Sequence, residues 1–429
     1  MENGLPIGAK LSTDSGNTIT VLRKLGEGGQ GFVYEVDYGG DRKALKWYKS
    51  VGMGDTPETF RQVLKKNIKR KTPAPEFLWP QDLTQWHDGK FGYIMDLKPQ
   101  GYYEIWQFLL CHVRFASFQV AVDAMLKIVS AFRILHNQGY TYRDLNDGNF
   151  FINPKTGDIR VADNDNVAPQ NVINGIRGKP RYMAPEVVTG SFPDVYSDRY
   201  SMSLILYMVL CLNHPLEGSL YLTPGLTESK RKILYGTDPG FMMDPDAGAN
   251  GPHPQVHRNS INMWKFLPDY MRKIFLRAFS RMALLEKREA RPEEIDWIKA
   301  LTRFRNDLVS CQCGNEVIAP ETGGRKCDSC GKPIPIHYRL ELYTGSAPAV
   351  VGTRIYRCQL GPCKVQEALV PIGVVGTKKG MGGLFLKNMT DFRWYGENNV
   401  TVAPGELLPA KDGTIVKIKQ DTIKITKNK

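Results

Sequence analysis

A short polar run, Tyr142–Asn149 (YRDLNDGN), places a carboxylate, Asp144, upstream of a side-chain amide, Asn149. Such a carboxylate can accept the proton of a hydroxyl group, and such an amide oxygen can bind a magnesium ion. Together they could serve the transfer of a phosphoryl group to a hydroxyl. Because a match of this length can arise by chance, its weight depends on whether the other parts of such a site occur in order.

A glycine-rich segment lies upstream of this run, at Leu25–Val33, in the pattern G-x-G-x-x-G-x-V. The residues on either side alternate between apolar and polar, which predicts two strands of a hairpin. Glycine lets backbone amides close over phosphate oxygens because no Cβ stands in the way. The pattern alone also fits an ordinary glycine hairpin. The next predicted strand carries Ala44 and Lys46, although a lone lysine on a strand is usually only a solvated residue.

Three further segments follow in order along the chain. Ile159–Asp163 is a short apolar strand that ends in a carboxylate, and Gly178–Glu186 reads GKPRYMAPE. Asp198 precedes an apolar run, Ser201–Leu212, and Arg291 lies further downstream. In type and order, all these segments resemble the motifs of the eukaryotic-like serine/threonine protein kinases.

This resemblance, over residues 16–303, implies an α+β bilobal protein kinase fold. It also implies the ATP- and magnesium-dependent phosphorylation of Ser/Thr hydroxyls on protein substrates. Asp144 would accept the hydroxyl proton and Lys46 would position the phosphates, while Asn149 and Asp163 would bind magnesium. The nucleotide-binding residues that the resemblance implies, the last three forming the hinge, are Gly26, Gly28, Gly31, Val33, Ala44, Met95, Asp96 and Leu97.

A pair between Glu186 and Arg291 is implied by the same resemblance. Small-molecule and lipid kinases of related fold lack this pair, so it favours a protein substrate. Between the metal-binding aspartate and Glu186 the activation segment contains no Ser or Thr. We therefore predict that phosphorylation of this segment on Ser or Thr does not control the enzyme, and that Arg143 meets a carboxylate, Asp165 or Asp147, instead of a phosphate.

Several positions depart from the kinase motifs. Tyr142 replaces the His that braces the catalytic loop, and Asn164-Asp165 replaces Phe-Gly, so an aromatic packing switch is missing. Asn146 stands where a Lys neutralises the γ-phosphate, and Lys179 stands where a Thr is usual. We predict that Lys179 supplies the charge that Asn146 cannot supply. In the alternative interpretation, Lys179 faces outward and binds an acidic residue of the substrate.

The helix that normally pairs a Glu with Lys46 is predicted at Pro57–Ile68, where the only acid is Glu58, on the first turn. The ion pair is therefore either made in an unusual way or absent. The basic residues from Arg61 to Lys71 lie opposite apolar ones on the same helix. The simplest interpretation of this pattern is a solvated basic face.

Four cysteines form two knuckles that are each followed by glycine, Cys311-Gln-Cys313-Gly and Cys327-Asp-Ser-Cys330-Gly. Four thiolates in this layout predict a structural zinc ribbon with a tetrahedral site. Reduced unpaired thiols or a redox pair are the alternatives. The first knuckle is C-x-C where C-x-x-C is commoner.

Beyond this ribbon the chain alternates between apolar and polar residues, which predicts an all-β module. The predicted strands are Arg339–Tyr343, Val350–Ile355 and Ile415–Lys419. Leu386–Asp391, Trp394 and Pro404-Gly405-Glu406 resemble the later strands of a forkhead-associated domain. The phosphothreonine-reading motif of that family, G-R-S-x-x-H, is absent. A β sandwich is therefore the prediction, without phosphopeptide binding.

A chain of 429 residues is too long for one core. We predict an N-terminal tail at 1–15, a kinase small lobe at 16–98, a large lobe at 99–303, a zinc ribbon at 304–336 and a β domain at 337–429. No signal peptide is evident, and the longest apolar run is too short to span a bilayer, so we expect a cytoplasmic enzyme. The net charge of +13 permits a nucleic-acid partner but does not establish one.

Leu234–Pro239, Phe91–Met95 and the Cys-x-Cys-Gly segment resemble a group of bacterial kinases. These are encoded beside a phosphatase and a von Willebrand A protein in tellurite-resistance-type clusters. The resemblance implies a PP2C-type phosphatase and a von Willebrand A domain protein as partners. Two other functions stay open, a pseudokinase scaffold that acts through its ribbon and β domain, and a nucleic-acid-binding regulator.

Overall fold

The computed structural model describes residues 4–49, 56–170, 178–396 and 400–428. The small lobe is an antiparallel sheet with one helix packed against it. Its elements are β1 (Lys10–Ser12), β2 (Thr18–Glu27), β3 (Gly31–Tyr38), β4 (Asp41–Tyr48), α1 (Pro57–Arg70), β5 (Asp82–Leu83) and β6 (Gly92–Met95). The spatial order is β1-β2-β3-β4-β6-β5. The sheet thus begins with β1, before residue 16, where the sequence analysis places the start of this lobe.

Helix α1 begins after Thr56, whose side chain accepts a hydrogen bond from the first turn, and Pro57 occupies its first position. Phe60 and Leu64 are buried in one apolar cluster with residues of β4 and β6. Arg61 is also buried. This side chain therefore does not belong to the solvated basic face that the sequence analysis predicts.

The large lobe is mainly helical, with short strands that carry the catalytic segments. Its elements are β7 (Tyr103–Glu104), α2 (Ile105–Leu109), α3 (Phe118–Asn137), β8 (Tyr140–Thr141), β9 (Phe150–Ile152), β10 (Ile159–Val161), β11 (Ala168–Pro169), α4 (Pro185–Val188), α5 (Val195–Cys211), α6 (Glu228–Lys232), α7 (Arg258–Phe266), α8 (Asp269–Ala278) and α9 (Glu294–Asp307). Strands β10, β9 and β7 form one small sheet, and β11 pairs with β8. As a result, Tyr142 directly follows β8, Asn149 directly precedes β9, and Asp163 lies just after β10.

Helix α5 is the buried centre of the large lobe, as the apolar run of its sequence predicts. Asp194 caps the helix by accepting hydrogen bonds from the backbone N–H groups of Tyr196 and Ser197. Every residue from Tyr200 to Cys211 is buried. Within the four described stretches, no helix is both long and apolar enough to span a membrane.

The C-terminal part contains two small hairpins and then two larger sheets. Strand β12 (Leu308–Ser310) pairs with β13 (Glu316–Ile318), and β14 (Arg325–Lys326) pairs with β15 (Pro333–Ile334). The strands that follow are β16 (Tyr338–Leu342), β17 (Gly345–Pro348), β18 (Arg354–Tyr356), β19 (Pro371–Lys378), β20 (Met381–Asn388), β21 (Trp394–Gly396), β22 (Thr401–Val402), β23 (Leu407–Pro409), β24 (Ile415–Ile418) and β25 (Asp421–Lys427). They form sheets in the orders β17-β16-β25-β24-β21-β22 and β18-β19-β20-β23. One apolar core, with Trp394 fully buried, is shared by the two sheets.

Both C-terminal units pack on the large lobe. Asn306 Nδ2 donates to the carbonyl oxygen of Arg354 at 2.7 Å, and the backbone N–H of Arg354 donates to Asn306 Oδ1 at 3.2 Å. Tyr356 belongs to the same buried apolar cluster as α3 and α9. Glu316 accepts a hydrogen bond at 3.1 Å from the backbone N–H of Gln119 in the first turn of α3, where a carboxylate is favoured by the helix dipole.

Candidate active site and metal centre

The backbone at the start of the catalytic loop, Tyr142–Asn149, is held by one buried carboxylate. Asp198, on α5, accepts hydrogen bonds from the backbone N–H groups of Tyr142 at 2.6 Å and Arg143 at 2.9 Å. Its Oδ2 also lies 3.1 Å from His136 Nε2 on α3. Burial lowers the pKa of His136, but hydrogen bonds to Asp198 and Glu294 outweigh this effect and raise the pKa to about 9. A buried cation therefore binds α3 to α5 beneath the loop.

Asp144 lies in this loop with a carboxylate that is poised to exchange a proton. Burial is the main cause that raises its pKa to about 6, and the negative charge of Asp163 adds to it. A hydrogen bond from Asn146 and the positive charges of Lys179 and Lys46 act in the opposite direction. A group with such a pKa is ionised at neutral pH yet remains basic enough to take a proton from a hydroxyl in a transition state.

Lys179 reaches the catalytic loop from the activation segment. Its Nζ lies 2.9 Å from Asn146 Oδ1, and Asn146 Nδ2 donates to Asp144 Oδ1 at 3.1 Å. The side chain of Lys179 is exposed along its length, but its ammonium group is directed at the loop. Two successive hydrogen bonds thus connect the ammonium group of Lys179, through the amide of Asn146, to the carboxylate of Asp144, the candidate base.

Asp163 and Asn149 stand at the edges of the same cleft. Asp163 has a left-handed backbone conformation, with φ of +51°, at the point where β10 has ended. Asn149 donates through Nδ2 to the carbonyl oxygen of Asp144 at 2.8 Å, which orients the amide and leaves its oxygen as the group that can bind a metal. One carboxylate and one amide oxygen are hard donors of the kind that magnesium prefers. The residues present therefore fit this ion.

Lys46 lies on β4, buried, with three oxygen partners. Its Nζ is 2.8 Å from Asp165 Oδ2, 2.9 Å from Gln30 Oε1 and 3.2 Å from Asp163 Oδ1. Burial lowers the pKa of Lys46, but the charges of Asp163 and Asp165 outweigh it and hold the pKa above its usual value. Glu58 is exposed on α1 and takes no part. The ion pair of this lysine is thus made in the unusual way that the sequence analysis left open.

One apolar cluster extends from the small lobe to the large lobe at the predicted nucleotide-binding residues. Ala44 pairs in register with Met95 across β4 and β6, and Val33 and Leu97 pack in the same cluster. Phe151, on β9, joins this cluster from the large lobe. Asp96, which follows Met95 and is predicted to belong to the hinge, has its Oδ1 2.6 Å from Lys43 Nζ.

The glycines where β2 ends and β3 begins have two different roles. A Cβ on Gly31 would stand 2.2 Å from the carbonyl oxygen of Trp47, so this glycine is required by close packing within the sheet. A Cβ on Gly26 or Gly28 would meet nothing within 4 Å. These two positions border open space above the cleft, where a phosphate group can approach the backbone.

Tyr142 and Asn164, two residues that depart from the kinase motifs, both make hydrogen bonds to backbone carbonyl oxygens. Tyr142 is fully buried, packs on the ring of Phe132 with centroids 5.4 Å apart, and donates its hydroxyl to the carbonyl oxygen of Ala162. It therefore braces the loop against the strand that leads to Asp163. Asn164 donates to the carbonyl oxygens of two apolar residues, Leu78 and Val161, each at 2.8 Å. The aromatic packing of the usual Phe is replaced here by hydrogen bonds.

The predicted pair of Glu186 and Arg291 is confirmed. Two hydrogen bonds of 2.8 Å join the guanidinium to both carboxylate oxygens, and Arg291 is almost fully buried. The prediction for Arg143 is wrong with respect to Asp165, because that carboxylate binds Lys46 instead. Among the bonds of Arg143, one goes to Thr141 Oγ1 and one to the carbonyl oxygen of Pro169, each at 2.9 Å.

The four ribbon cysteines converge at the tip of the two hairpins. All four sulfur atoms lie within 4.8 Å of one another, and the pairs Cys311–Cys330 and Cys313–Cys327 are 3.6 Å apart. A tetrahedron with zinc–sulfur bonds of about 2.3 Å has edges of about 3.8 Å. A hydrogen bond from the backbone of Cys330 is the main cause that lowers the pKa of Cys327 to about 6. The donor set and its spacing therefore fit one zinc ion.

Several residues near the cleft were missed by reasoning from the sequence. Asp165, Tyr48, Gln30 and Phe151 all contact predicted site residues, yet no motif identifies them. Tyr48 could have been found, because it lies two residues after Lys46 on a strand and so projects from the same face. Asp165 was noted as a departure and as a predicted partner of Arg143, but not as the partner of Lys46, which is distant in sequence.

Comparison with known proteins agrees with this arrangement. Residues 19–232 match the profile of the family described as Protein kinase domain. The chain contains a protein kinase domain. Relatives that match this chain include serine/threonine-protein kinases, one of them bacterial.

Three relatives illustrate the extent of the similarity. A probable cAMP-dependent protein kinase catalytic subunit of Encephalitozoon cuniculi is 34% identical over 137 residues, covering 32% of this chain and 41% of the relative. Human serine/threonine-protein kinase Nek11 is 26% identical over 297 residues, covering 62% and 42%. A probable serine/threonine-protein kinase of Clostridium perfringens is 21% identical over 226 residues, covering 51% and 32%. The matched regions span less than half the length of each of these curated relatives.

Proposed function

We propose that this protein is an ATP- and magnesium-dependent kinase that phosphorylates serine or threonine hydroxyls on protein substrates. One observation carries the proposal: the four side chains lie together, since Lys46 Nζ is 3.2 Å from Asp163 Oδ1 and Asn149 Nδ2 donates to the carbonyl oxygen of Asp144 at 2.8 Å. The match to the kinase domain supports it. A pseudokinase scaffold would not need to keep all four side chains, so that alternative is not favoured.

Each side chain has a separate task in this proposal. Asp144 would accept the proton of the substrate hydroxyl as the new bond forms, and its elevated basicity suits that task. Lys46 would hold the phosphates in line, while the backbone at Gly26 and Gly28 would close over them. Magnesium held by Asn149 and Asp163 would neutralise charge on the phosphates.

A protein substrate is supported by the Glu186–Arg291 pair, which anchors the activation segment next to the catalytic loop. Lys179, in the same segment, would place its charge beside the transferred phosphoryl group, because it already contacts Asn146. The chemistry assigned to the cleft therefore depends on residues 178–186 as well as on the loop itself.

The test is phosphoryl transfer by the full chain with labelled ATP and magnesium, followed by mapping of the phosphorylated sites. Asp163→Ala and Asp144→Ala should each reduce transfer to the background level, because one removes a metal ligand and the other the proton acceptor. Asp246→Ala, at an exposed aspartate on a turn, is the matched control and should leave transfer unchanged. If wild-type protein binds ATP and magnesium but phosphorylates neither itself nor any protein offered, the scaffold function is the correct one.

We also propose that Cys311, Cys313, Cys327 and Cys330 hold a structural zinc ion. The spacing of the four sulfur atoms supports this, and so does the short apolar core that surrounds them, with Val309, Val317 and Ile334 buried. The role would be stability, because the two hairpins are too small to bury a sufficient core without a metal.

The finer assignments are proposals as well. The Cys-x-Cys-Gly ribbon beside the kinase domain supports placement among the bacterial kinases of tellurite-resistance-type clusters. In that case a PP2C-type phosphatase and a von Willebrand A domain protein are expected partners, and a cytoplasmic location follows. The two facing sheets at residues 337–428 support a forkhead-associated-like β sandwich whose ligand is not a phosphothreonine read through the usual motif.

A further inference from the structure

Lys46 is held by a carboxylate from the metal-binding segment itself and not from helix α1. Asp165 Oδ2 accepts its hydrogen bond at 2.8 Å. We propose that Asp165 is the positioning residue for Lys46, keeping the ammonium group aimed at the phosphates of bound ATP, in place of an acid on α1. The inference rests on the proposed kinase function and deepens it.

Asp165 is placed for this role by the short turn Asn164–Asn166. Its side chain is completely inaccessible to solvent. The same Oδ2 accepts a second hydrogen bond, at 2.5 Å, from the hydroxyl of Tyr48. Lys46 and Tyr48 project from one face of β4 because they are two residues apart on a strand. One face of one strand therefore supplies both donors that fix this carboxylate.

Asp163 and Asp165 differ in how far their side chains are exposed to solvent, and this difference gives them different roles. The side chain of Asp163 is 35% exposed, whereas that of Asp165 is 0% exposed. Asp163 can turn toward a metal ion in the open cleft, but Asp165 cannot reach the cleft. A buried ionised carboxylate is costly unless it is paired, so Asp165 and Lys46 depend on each other. Lys46 would thus keep one negative partner while Asp163 serves as a metal ligand.

Among the described residues, helix α1 contributes no hydrogen bond or ion pair to Lys46, although its Phe60 packs on the ring of Tyr48 with centroids 5.2 Å apart. Arg61 forms hydrogen bonds to Asp14 at 2.7 and 3.0 Å. Near the other end of the helix, Asn67 donates to the carbonyl oxygen of Val167 at 3.0 Å, just beyond the Asp165 turn. The acid on this helix, Glu58, is exposed. Lys46 is therefore not positioned by an acid of this helix.

The first test measures steady-state phosphorylation by the full chain and compares Asp165→Asn with Glu58→Gln. Loss of the charged partner should lower kcat/KM for ATP by about a hundredfold, as expected when a phosphate-positioning group is misplaced by about 1 Å. Glu58→Gln should stay within about twofold of wild type. An active wild type in which the two variants behave alike would overturn the inference alone. A wild type without phosphoryl transfer would overturn the proposed function.

A second readout does not depend on activity and separates positioning from a purely structural role. Reaction of Lys46 with an amine-specific reagent at one fixed pH is followed by mass spectrometry, in the full chain with and without ATP and magnesium. ATP should protect Lys46 from labelling in wild type and Glu58→Gln but severalfold less in Asp165→Asn, because the ammonium group is no longer aimed at the phosphates. Equal protection in all three proteins would contradict the positioning role.

If Asp165→Asn does not fold, the hydroxyl of Tyr48 provides the test. Tyr48→Phe keeps the carboxylate but removes one of its two donors, so kcat/KM for ATP should fall severalfold with a smaller change in kcat/KM for the protein substrate. Tyr93→Phe is the matched control, because its buried hydroxyl has no hydrogen-bond partner among the described residues. Equal effects of the two variants would overturn the role of Asp165.

Discussion

Lys179 Nζ lies 2.9 Å from Asn146 Oδ1, so the activation segment brings a cation to the position of the catalytic loop where an amide replaces a lysine. The amide of Asn146 also donates to Asp144, which connects the cation to the candidate base. Phosphoryl transfer spreads negative charge over the equatorial oxygens of the transferred group, and an ammonium held next to them stabilises that charge.

Replacing Lys179 by alanine tests this arrangement. We expect Lys179→Ala to lower kcat by about a hundredfold with little change in the affinity for ATP, as for removal of one preorganised electrostatic contact. Asn146→Lys in the same background should restore part of kcat, because it returns a cation to the loop. Lys155→Ala, an exposed lysine on another turn, is the control. A variant that keeps kcat and raises only KM for an acidic peptide would show that Lys179 recognises the substrate instead.

The pH dependence of the reaction reports on Asp144. Its pKa of about 6 in the free protein predicts that kcat/KM falls on the acid side as pH drops through 6, because the protonated carboxyl cannot accept a proton. The charge of Lys179 lowers this pKa, so the acid limb of Lys179→Ala should move to higher pH. An acid limb that stays below pH 5, or that Lys179→Ala does not move, would argue against Asp144 as the base.

The ribbon should contain metal. We expect about one zinc ion per chain by elemental analysis, and its removal by a chelator should lower the thermal stability, because most of the fold energy of so small a unit comes from the metal. Cys313→Ser and Cys330→Ser should both reduce the zinc content. Cys111→Ser is the matched control, since Cys111 is exposed and distant in sequence from the cluster. Metal-free protein of unchanged stability would contradict the zinc site.

Activity should not require phosphorylation of the activation segment. The segment from Asp163 to Glu186 contains no Ser or Thr, and its one tyrosine, Tyr182, is buried with only 4% of its surface exposed. Treatment with a broad-specificity phosphatase should therefore leave the initial rate unchanged. Mass spectrometry of active protein should find no phosphate between these two residues. Phosphorylated Tyr182 that is required for activity would contradict this prediction.

Much of the site could be read from the sequence because kinase motifs are local. The catalytic loop, the glycine segment and the strand before Asp163 each span a few residues whose side chains act near their own backbone. Alternating patterns likewise predicted the β2–β3 hairpin and β24, and the apolar run predicted α5. The pattern at Val350–Ile355 was less reliable, since its first residues form a turn and β18 begins only at Arg354.

The sequence by itself thus determined which chemical groups are present and the order in which they occur. The tertiary structure decided which of them meet. Lys46 and Asp165 are 119 residues apart, and no local pattern marks one as the partner of the other. Their contact arises because β4 and the turn after β10 are packed against the same cleft, where burial makes an unpaired charge costly. Lys179 and Asn146, 33 residues apart, are brought together in the same way by the activation segment.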